Sequence, residues 1–473
     1  MAARPLLGRQ PNRLLQALVQ ETGVSNAGLA RRINLCGAEY GLDLRYDKTS
    51  VSRWLRGQQA RGPTPRILAE VLSRKLNREI TLAEIGMPDL TARHSPTTGF
   101  AFVPPLAGAI DQACGLWRAD AGRPAYAQGS GVGAPRLLES CRDWLAAHAD
   151  TDVSRSAGSR VGAADVEAVH VITRDLAAAD HRFGSGRIRP IAVHCLDTVV
   201  AKLLRGSYSR HTGRRLFACA ARLTELAGYM AVDVGRPGLA QRYYVQALRL
   251  AQAADDRGYG AYIIARSMHQ LAVSAGHSRT AVQAARIALQ GAPQPAAPTL
   301  RALLHTSEAR GHAVAGDLLA YRDAASRARE ALARAGTEGE PDWAENFDQA
   351  HLAGELARCC LALNRPTLAV REASRALAGH PGFRVRRRAI DLLLLATAQL
   401  RAGQTEEAHT AAMSAVRLSV DLRSSLCDEY MDNFQSLLTD SSGATVARGF
   451  EEALGQARTE KRNQEVRDSR PQT

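Results

Sequence analysis

Lys48-Thr49-Ser50-Val51-Ser52-Arg53-Trp54-Leu55-Arg56-Gly57 reads as one short helix with two chemically distinct sides. Val51, Trp54 and Leu55 recur at helical spacing and face inward, whereas Lys48, Thr49, Ser50 and Arg53 point outward. Asp47 or Thr49 can cap its start and Gly57 its end. Upstream, Leu14, Leu15, Leu18 and Val19 share one helical face that stops at Gly23. Ser25 can cap a second helix on Leu29, Ile33 and Cys36, ending at Gly37 or Gly41. Downstream, Thr64 as cap and Pro65 in the first turn open a fourth helix that buries Ile67, Leu68, Val71, Leu72 and Leu76. Thr81 and Glu84 have the spacing of a capping box and predict a brief fifth helix before Gly86. Five small helices make residues 1–90 a compact helical domain.

Residues 91–105 carry Ser, Thr, Gly and Pro without helical period and read as a linker. Residues 106–215 alternate amphipathic stretches, around Trp117, Leu137 to Trp144 and Val166 to Leu176, with Gly-rich loops at Gly129 to Gly133 and Gly184 to Gly186. From 216 to 455 a pattern recurs: Ala240/Ala247/Leu248, Ala281/Ala288/Leu289, Ala324/Ala331/Leu332, Ala369/Ala376/Leu377 and Ala408/Ala415/Val416. Each is preceded by a turn residue, Gly235, Gly276, Gly316, Asn364 and Gly403 in order. Small residues at such intervals let paired helices stack closely, as in tetratricopeptide-like (TPR-like) solenoids. The spacing exceeds the ~34 residues of one tetratricopeptide unit, which predicts longer connecting loops. Residues 422–455 can close the stack, and 456–473, mixed in charge and without an apolar face, are expected to fray. The fold class is all-α, which suits a chain with 5% aromatic residues and much Ala, Leu and Arg.

Charge and cysteine usage narrow the partners. The net charge is +14, and residues 1–95 hold 15 Lys plus Arg against 8 Asp plus Glu, so the first fifth of the chain carries half the excess. Clustered positive charge favours a polyanionic partner. The eight cysteines show no Cys-x-x-Cys spacing and read as reduced, mostly buried thiols of a cytoplasmic protein. No signal peptide is read at the start, and the longest apolar run, Leu392 to Ala398, is far shorter than the ~20 residues of a bilayer span.

In its context, after one capped helix and before a Pro-started one, the quoted stretch resembles the recognition helix of phage-repressor-like (XRE-type) helix-turn-helix proteins. The resemblance implies that the start of this helix enters the major groove of DNA. Lys48, Thr49, Ser50 and Arg53 would then face base edges, with Arg53 the candidate for a bidentate contact to guanine. Arg56, and the N-terminus of the second helix at Ser25 and Asn26, would meet phosphates. Leu29 to Val51 spans 22 residues, roughly twice what a minimal helix-turn-helix allows. Either the second helix extends, or an inserted loop carrying Arg45 and Tyr46 lies against the DNA backbone. A wider resemblance rests on Leu29-Ala-Arg-Arg-Ile-Asn, the run from Tyr40 to Gly57, Asp180-His-Arg-Phe-Gly-Ser-Gly, Leu226-Ala-Gly-Tyr-Met-Ala-Val-Asp and Ala240-Gln-Arg-Tyr-Tyr-Val-Gln-Ala-Leu. Over most of residues 12–290 the chain is similar to tetratricopeptide-containing negative regulators of development and antibiotic production in Streptomyces and relatives. That resemblance implies repression of sporulation and secondary metabolism.

Enzyme signatures are missing from the sequence. None of the four lysines follows a glycine, so no phosphate loop of the Gly-Lys type exists. Gly129 to Gly133 and Gly184 to Gly186 read as flexible linkers, and His181 beside Asp180 and His194 beside Cys195 read as packing without metal-ligand spacing. Adjacent Cys359 and Cys360 diverge by ~100° on a helix and do not suggest a switch. Neither cofactor nor metal is expected. Arg242, Tyr243, Tyr244, Arg266, His269 and Gln270 fall near the expected inner surface of the repeats, with core packing the stronger reading for the tyrosines. The sequence therefore describes a DNA-binding regulator, expected to be a homodimer because one short helix reads few base pairs, with a repeat domain for a protein or peptide partner. A TPR adaptor that holds another regulator without touching DNA, and a peptide-sensing regulator of the same architecture, share these features.

Overall fold

The computed structural model describes residues 11–40, 42–60, 62–76, 78, 80–82, 84–87, 99–122, 132–336, 339–441 and 444–468. Among them the chain is all-helical. Extended pairing is confined to a short tie in which Arg155 and Tyr208 exchange backbone hydrogen bonds while Ser207 bonds Ser159 and Val161.

Four helices form the N-terminal unit. α1 (Arg13–Thr22) is capped by Asn12 and ends on Gly23 at φ 63°. α2 (Asn26–Glu39) is capped by Ser25, α3 (Lys48–Leu55) by Asp47, and α4 (Thr64–Leu76) follows. Leu15, Leu18, Leu29, Ile33, Val51, Trp54, Ile67, Leu68 and Leu72 share one core. Two local expectations change. Thr64 lies inside α4, and its hydroxyl meets the Tyr46 hydroxyl at 2.7 Å. The Thr81–Glu84 capping box forms, with Thr81 N and Oγ1 donating to the carboxylate at 2.7 and 2.8 Å. It closes a turn instead of a helix, because Gly86 takes φ +63° and Met87 N folds back onto Leu82 O.

Residues 91–98 of the expected linker lie outside the described residues, and 99–105 are strapped down. Gln246 donates to the carbonyls of Gly99 and Ala101 at 2.9 and 3.0 Å, and Arg249 to that of Val103 at 2.7 Å. Long buried polar side chains thus satisfy backbone carbonyls that crossing the fold would otherwise strand. The middle region then holds α5 (Leu106–Gly122), α6 (Ala134–Ala146), α7 (Ala163–Phe183) and α8 (Ser185–Cys195). α8 continues through a π-helical stretch, Leu196–Val200, into α9 (Ala201–Leu204). Gly129 to Gly131 lie outside the described residues.

Five helical hairpins follow. α10 (Arg210–Asp233) pairs with α11 (Pro237–Ala254). α12 (Arg257–Tyr262), a π-helical stretch (Ile263–Met268) and α13 (His269–Ser274) form one rod that pairs with α14 (Ser278–Gly291). Next come α15 (Pro298–Val314) with α16 (Leu318–Leu332), α17 (Gln349–Ala362) with α18 (Pro366–Gly379), and α19 (Val385–Arg401) with α20 (Thr405–Ser419). Gly235, Gly276, Gly316, Asn364 and Gly403 all sit at positive φ in the turns inside these hairpins, the left-handed conformation that ends a helix. The paired alanines, Ala240 and Ala247 through Ala408 and Ala415, are all buried on the second helix of each hairpin, where a larger side chain would push the helices apart. The extra repeat length lies partly in helices, 24 residues in α10 and 17 in α15 and α19, and not in loops alone.

The boundary expected at 215/216 falls inside α10, which starts at Arg210 behind a Ser209 cap. α21 (Ser425–Ser441) and α22 (Ala444–Asp468) close the array. α22 carries helix through Asp468 where fraying from 456 was expected, because Phe450, Leu454, Ala457 and Lys461 fall on one buried face. Residues 469–473 lie outside the described residues.

The row of hairpins curls until its last members meet the helices that precede the first. Arg386 on α19 bonds Asp180 on α7 through both carboxylate oxygens and Asp233 on α10 at 3.1 Å, all three fully enclosed. Ser424 donates to Asp233 at 2.6 Å, and Gly186 N donates to Arg423 O at 2.9 Å. The Gly184 to Gly186 turn is thus a closure point and not a flexible linker. Gly184 has φ +80°, and a Cβ there would stand 2.6 Å from the Arg423 carbonyl oxygen.

Burial gives the array an acid-sensitive group. His269 is enclosed, its Nε2 has no hydrogen-bond partner, and burial reinforced by Arg310 pushes its pKa down to about 3 from 6.5. Below pH 6.5 the unfolded chain binds a proton that the folded chain refuses until about pH 3, so this contribution to stability falls as pH falls across that window. Each unit crossed costs ~1.4 kcal/mol. His269→Leu is expected to flatten the pH dependence of urea unfolding between pH 7 and 5, and an unchanged slope would show that His269 is not its source.

Candidate nucleic-acid interface

Asp47 organises the start of α3. Its Oδ1 accepts from Ser50 N at 2.8 Å and Ser50 Oγ at 2.9 Å, and these bonds hold its carboxyl below the usual carboxylate range. A negative charge at a helix N-terminus is favourable. Ser50, half-buried, is therefore committed to the cap. Lys48, Thr49, Arg53 and Arg56 are exposed, and among the described residues neither Lys48, Arg53 nor Arg56 forms an ion pair. Three unpaired cations thus stand along one eight-residue helix and its C-cap.

α2 sets the position of that helix. Exposed Ser25 accepts from Gly28 N at 3.1 Å, and half-buried Asn26 donates to Ser52 Oγ at 3.2 Å, tying the start of α2 to the middle of α3. Arg45 is exposed, but its guanidinium grips Asp43 with Nη2 to Oδ2 at 2.9 Å, so its charge is neutralised locally. It would have to release Asp43 to reach a phosphate.

The long approach to α3 involves both an extended helix and a seated loop. α2 runs past Gly37 to Glu39, and residues 42–47 then return across it. The Asn34 side chain donates to Tyr46 O and accepts from Tyr46 N, both at 2.9 Å, acting as a two-point clamp on the loop backbone. Tyr46 sets its ring edge against Trp54 at 4.9 Å. Leu44 packs over Gly37, where a Cβ would stand 2.5 Å from Leu44 Cδ1. The clamp is absent from the sequence reading, since a polar residue in mid-helix looks the same whether it faces solvent or a loop that returns onto it.

The opposite end of α2 is docked. Arg136 on α6 donates to the Tyr40 hydroxyl at 2.7 Å, lies 4.8 Å from that ring, and pairs with Glu70 at 3.4 Å. Phe100 meets the Tyr40 ring edge at 5.3 Å, and Arg242 stacks on Phe100. The 14 residues of α2 span about 20 Å, which separates the dock at Tyr40 from the cations near Asn26 and Ser52. The four-helix unit is thus held from behind while the α3 face stays open.

Further chemistry in the described residues is limited. No group of three or more His, Cys, Asp or Glu is placed to hold a metal, and no helix is long and apolar enough to cross a membrane. All eight cysteines are buried, and burial raises the thiols, to about 11 at Cys36 and about 12 at Cys141.

A family model described as the SP15 N-terminal domain matches residues 15–88, which is the segment from α1 through the Thr81 turn. Nothing among curated proteins or solved structures matches the chain.

Proposed function

We propose that the chain is a DNA-binding transcriptional regulator whose four-helix unit acts as a helix-turn-helix domain, with α3 as recognition helix. The observation that carries this reading is the open face of α3, where Lys48, Arg53 and Arg56 stand exposed without ion-pair partners among the described residues. Unpaired cations on a helix of this size suit a groove lined by phosphates. The five hairpins serve as a TPR-like domain for an effector or partner, and the regulator acts as a homodimer to read enough base pairs. Negative regulation of sporulation and antibiotic production is the biological role that the resemblance to the Streptomyces regulators supports.

Genome-wide DNA occupancy of the wild type against Arg53→Ala with Lys48→Ala tests the reading. Promoter-enriched sites are expected for the wild type and their loss for the variant, since each good bidentate base contact is worth ~1–3 kcal/mol. Identical profiles would refute α3 as the reader, and no enriched sites for the wild type would favour an adaptor that holds another regulator. Arg56→Ala is expected to weaken all sequences alike and reduce the salt slope by about one. Anisotropy titrations across salt check this, and an altered base preference would contradict a phosphate role.

A further inference from the structure

The curled hairpins enclose a cavity of about 330 Å³ between α7, α10, the π-helical stretch Ile263–Met268, residues 342–347, α17 and α19. One wall is aromatic. Tyr259 and Tyr262 stack at 5.3 Å with planes 11° apart, and Trp343 packs against both at 5.3 and 5.1 Å. Tyr262 and Trp343 are half-buried and present surface to the cavity.

The charges around it do not cancel. Asp180 is taken by Arg386, Glu355 by Arg310 and Arg387, and Asp342 by Arg222. Glu225 is buried against the Ser267 hydroxyl, and burial raises its carboxyl towards the neutral form. Arg266 is left over. It sits half-buried on the π-helical stretch with one hydrogen bond, to Gln270 Oε1 at 3.1 Å, and no carboxylate pairs with it among the described residues. Nε2 of His351, which also lines the cavity, is buried without a hydrogen-bond partner, the nearest carboxylate oxygen being that of Glu355 at 3.9 Å. Glu225 and Glu355 act on Arg266 only at longer range, and a half-buried guanidinium with no carboxylate in contact, beside a ring nitrogen with no hydrogen bond, is costly to keep in a folded protein unless something answers it. π-helical stretches recur at functional sites.

We propose that this cavity binds a small aromatic anion, its carboxylate or phosphate on Arg266 with His351 in reach, its ring against Tyr262 and Trp343. The volume lies in the range of small-molecule pockets. Closure of α19 onto α7 and α10 by Arg386 interrupts the long open groove that an extended peptide would need. The inference goes beyond the nucleic-acid reading and does not rest on it.

The full chain, without DNA, is titrated with 4-hydroxyphenylacetate, with phenyl phosphate and with the uncharged 4-hydroxyphenylacetamide, following tryptophan fluorescence and thermal midpoint. At least one anion is expected to quench fluorescence saturably and raise the midpoint, the better of the two identifying the head group, while the amide does neither. Arg266→Gln should weaken binding tenfold or more, the usual weight of a charge-assisted hydrogen bond, and Arg266→Lys should restore part of it. Trp343→Phe should remove most of the quench yet keep the thermal shift, since the other three tryptophans are buried elsewhere. The proposal is overturned if the amide binds as tightly as the anions, if Arg266→Gln binds unchanged, or if neither anion binds at millimolar concentration. Saturable binding of the tripeptide Gly-Gly-Phe with no response to the free anions would overturn it in favour of a peptide. Because no DNA is present, failure here leaves the nucleic-acid reading standing.

Discussion

Replacing Arg386 with methionine is expected to lower the stability of the helical array by about 3–5 kcal/mol and to let its last hairpin part from the first. Arg386 is the shared counter-ion of Asp180 and Asp233, both enclosed, and its guanidinium also lies 4.9 Å from the Tyr229 ring. Asp180 and Asp233 lift its pKa far above the arginine norm against the opposing effect of burial, so the charge is firmly held. Without it two carboxylates, one on α7 and one on α10, remain buried with no counter-ion from α19. Breaking one side of a buried pair is costly for that reason, whereas removing all the charges together can be nearly neutral. The triple variant Arg386→Met, Asp180→Asn, Asp233→Asn should therefore recover much of the loss. Denaturant unfolding measures the energies and small-angle scattering the opening. A loss below about 1 kcal/mol, the scale of an exposed ion pair, would mean that closure is held elsewhere.

Trp144→Ala is the second large effect, at about 3–5 kcal/mol. The indole of α6 is fully enclosed in a slot made by two glycines of the second hairpin. A Cβ on Gly260 would stand 2.5 Å from its Nε1, and one on Gly291 2.3 Å from its Cζ3. Arg257 covers the ring at 4.1 Å and donates to the Trp144 carbonyl at 2.9 Å. Truncation empties a slot whose glycine walls have no side chains to fill it. The same helix carries Arg136, which grips Tyr40 of the N-terminal unit. Loss of Trp144 should therefore speed amide exchange both in α6 and at the C-terminal end of α2. Arg136→Ala should speed it only in α2. If Trp144→Ala leaves exchange in α2 unchanged, α6 is not the connection between the hairpins and the four-helix unit.

Much of the local structure was legible. Ser25 and Asp47 cap helices, and Gly23, Gly235, Gly276, Gly316, Asn364 and Gly403 take the left-handed conformation that a helix end requires. The alanines of the recurring pattern are buried where stacking needs small residues. The exposed α3 cations could be picked out because the apolar positions around them define the buried side. Ser50 and Arg45 were harder, since each is an outward polar residue whose hydrogen bonds go to a neighbour, Asp47 and Asp43.

The cavity and the closure were not legible. Gly184-Ser185-Gly186 has the composition of a flexible loop, yet Ser185 is enclosed and bonded to Asp180. Its rigidity comes from Arg423 and Arg386, far along the chain. Tyr243 and Tyr244 are enclosed as core residues, while Arg266 and Gln270 line the cavity.

Helix starts, helix ends and stacking faces depend on residues within a turn or two of each other, and their physics is written in local order along the chain. The link between Arg386 and Asp180 spans 206 residues, and that to Asp233 spans 153. Whether those groups meet depends on the small rotation from each hairpin to the next, summed over five, a quantity set by side-chain packing at every interface. A buried charge and a solvated one have the same letter in the sequence. Only the tertiary structure distinguishes Arg386, which closes the array, from Arg266, which lines the cavity and forms no ion pair among the described residues.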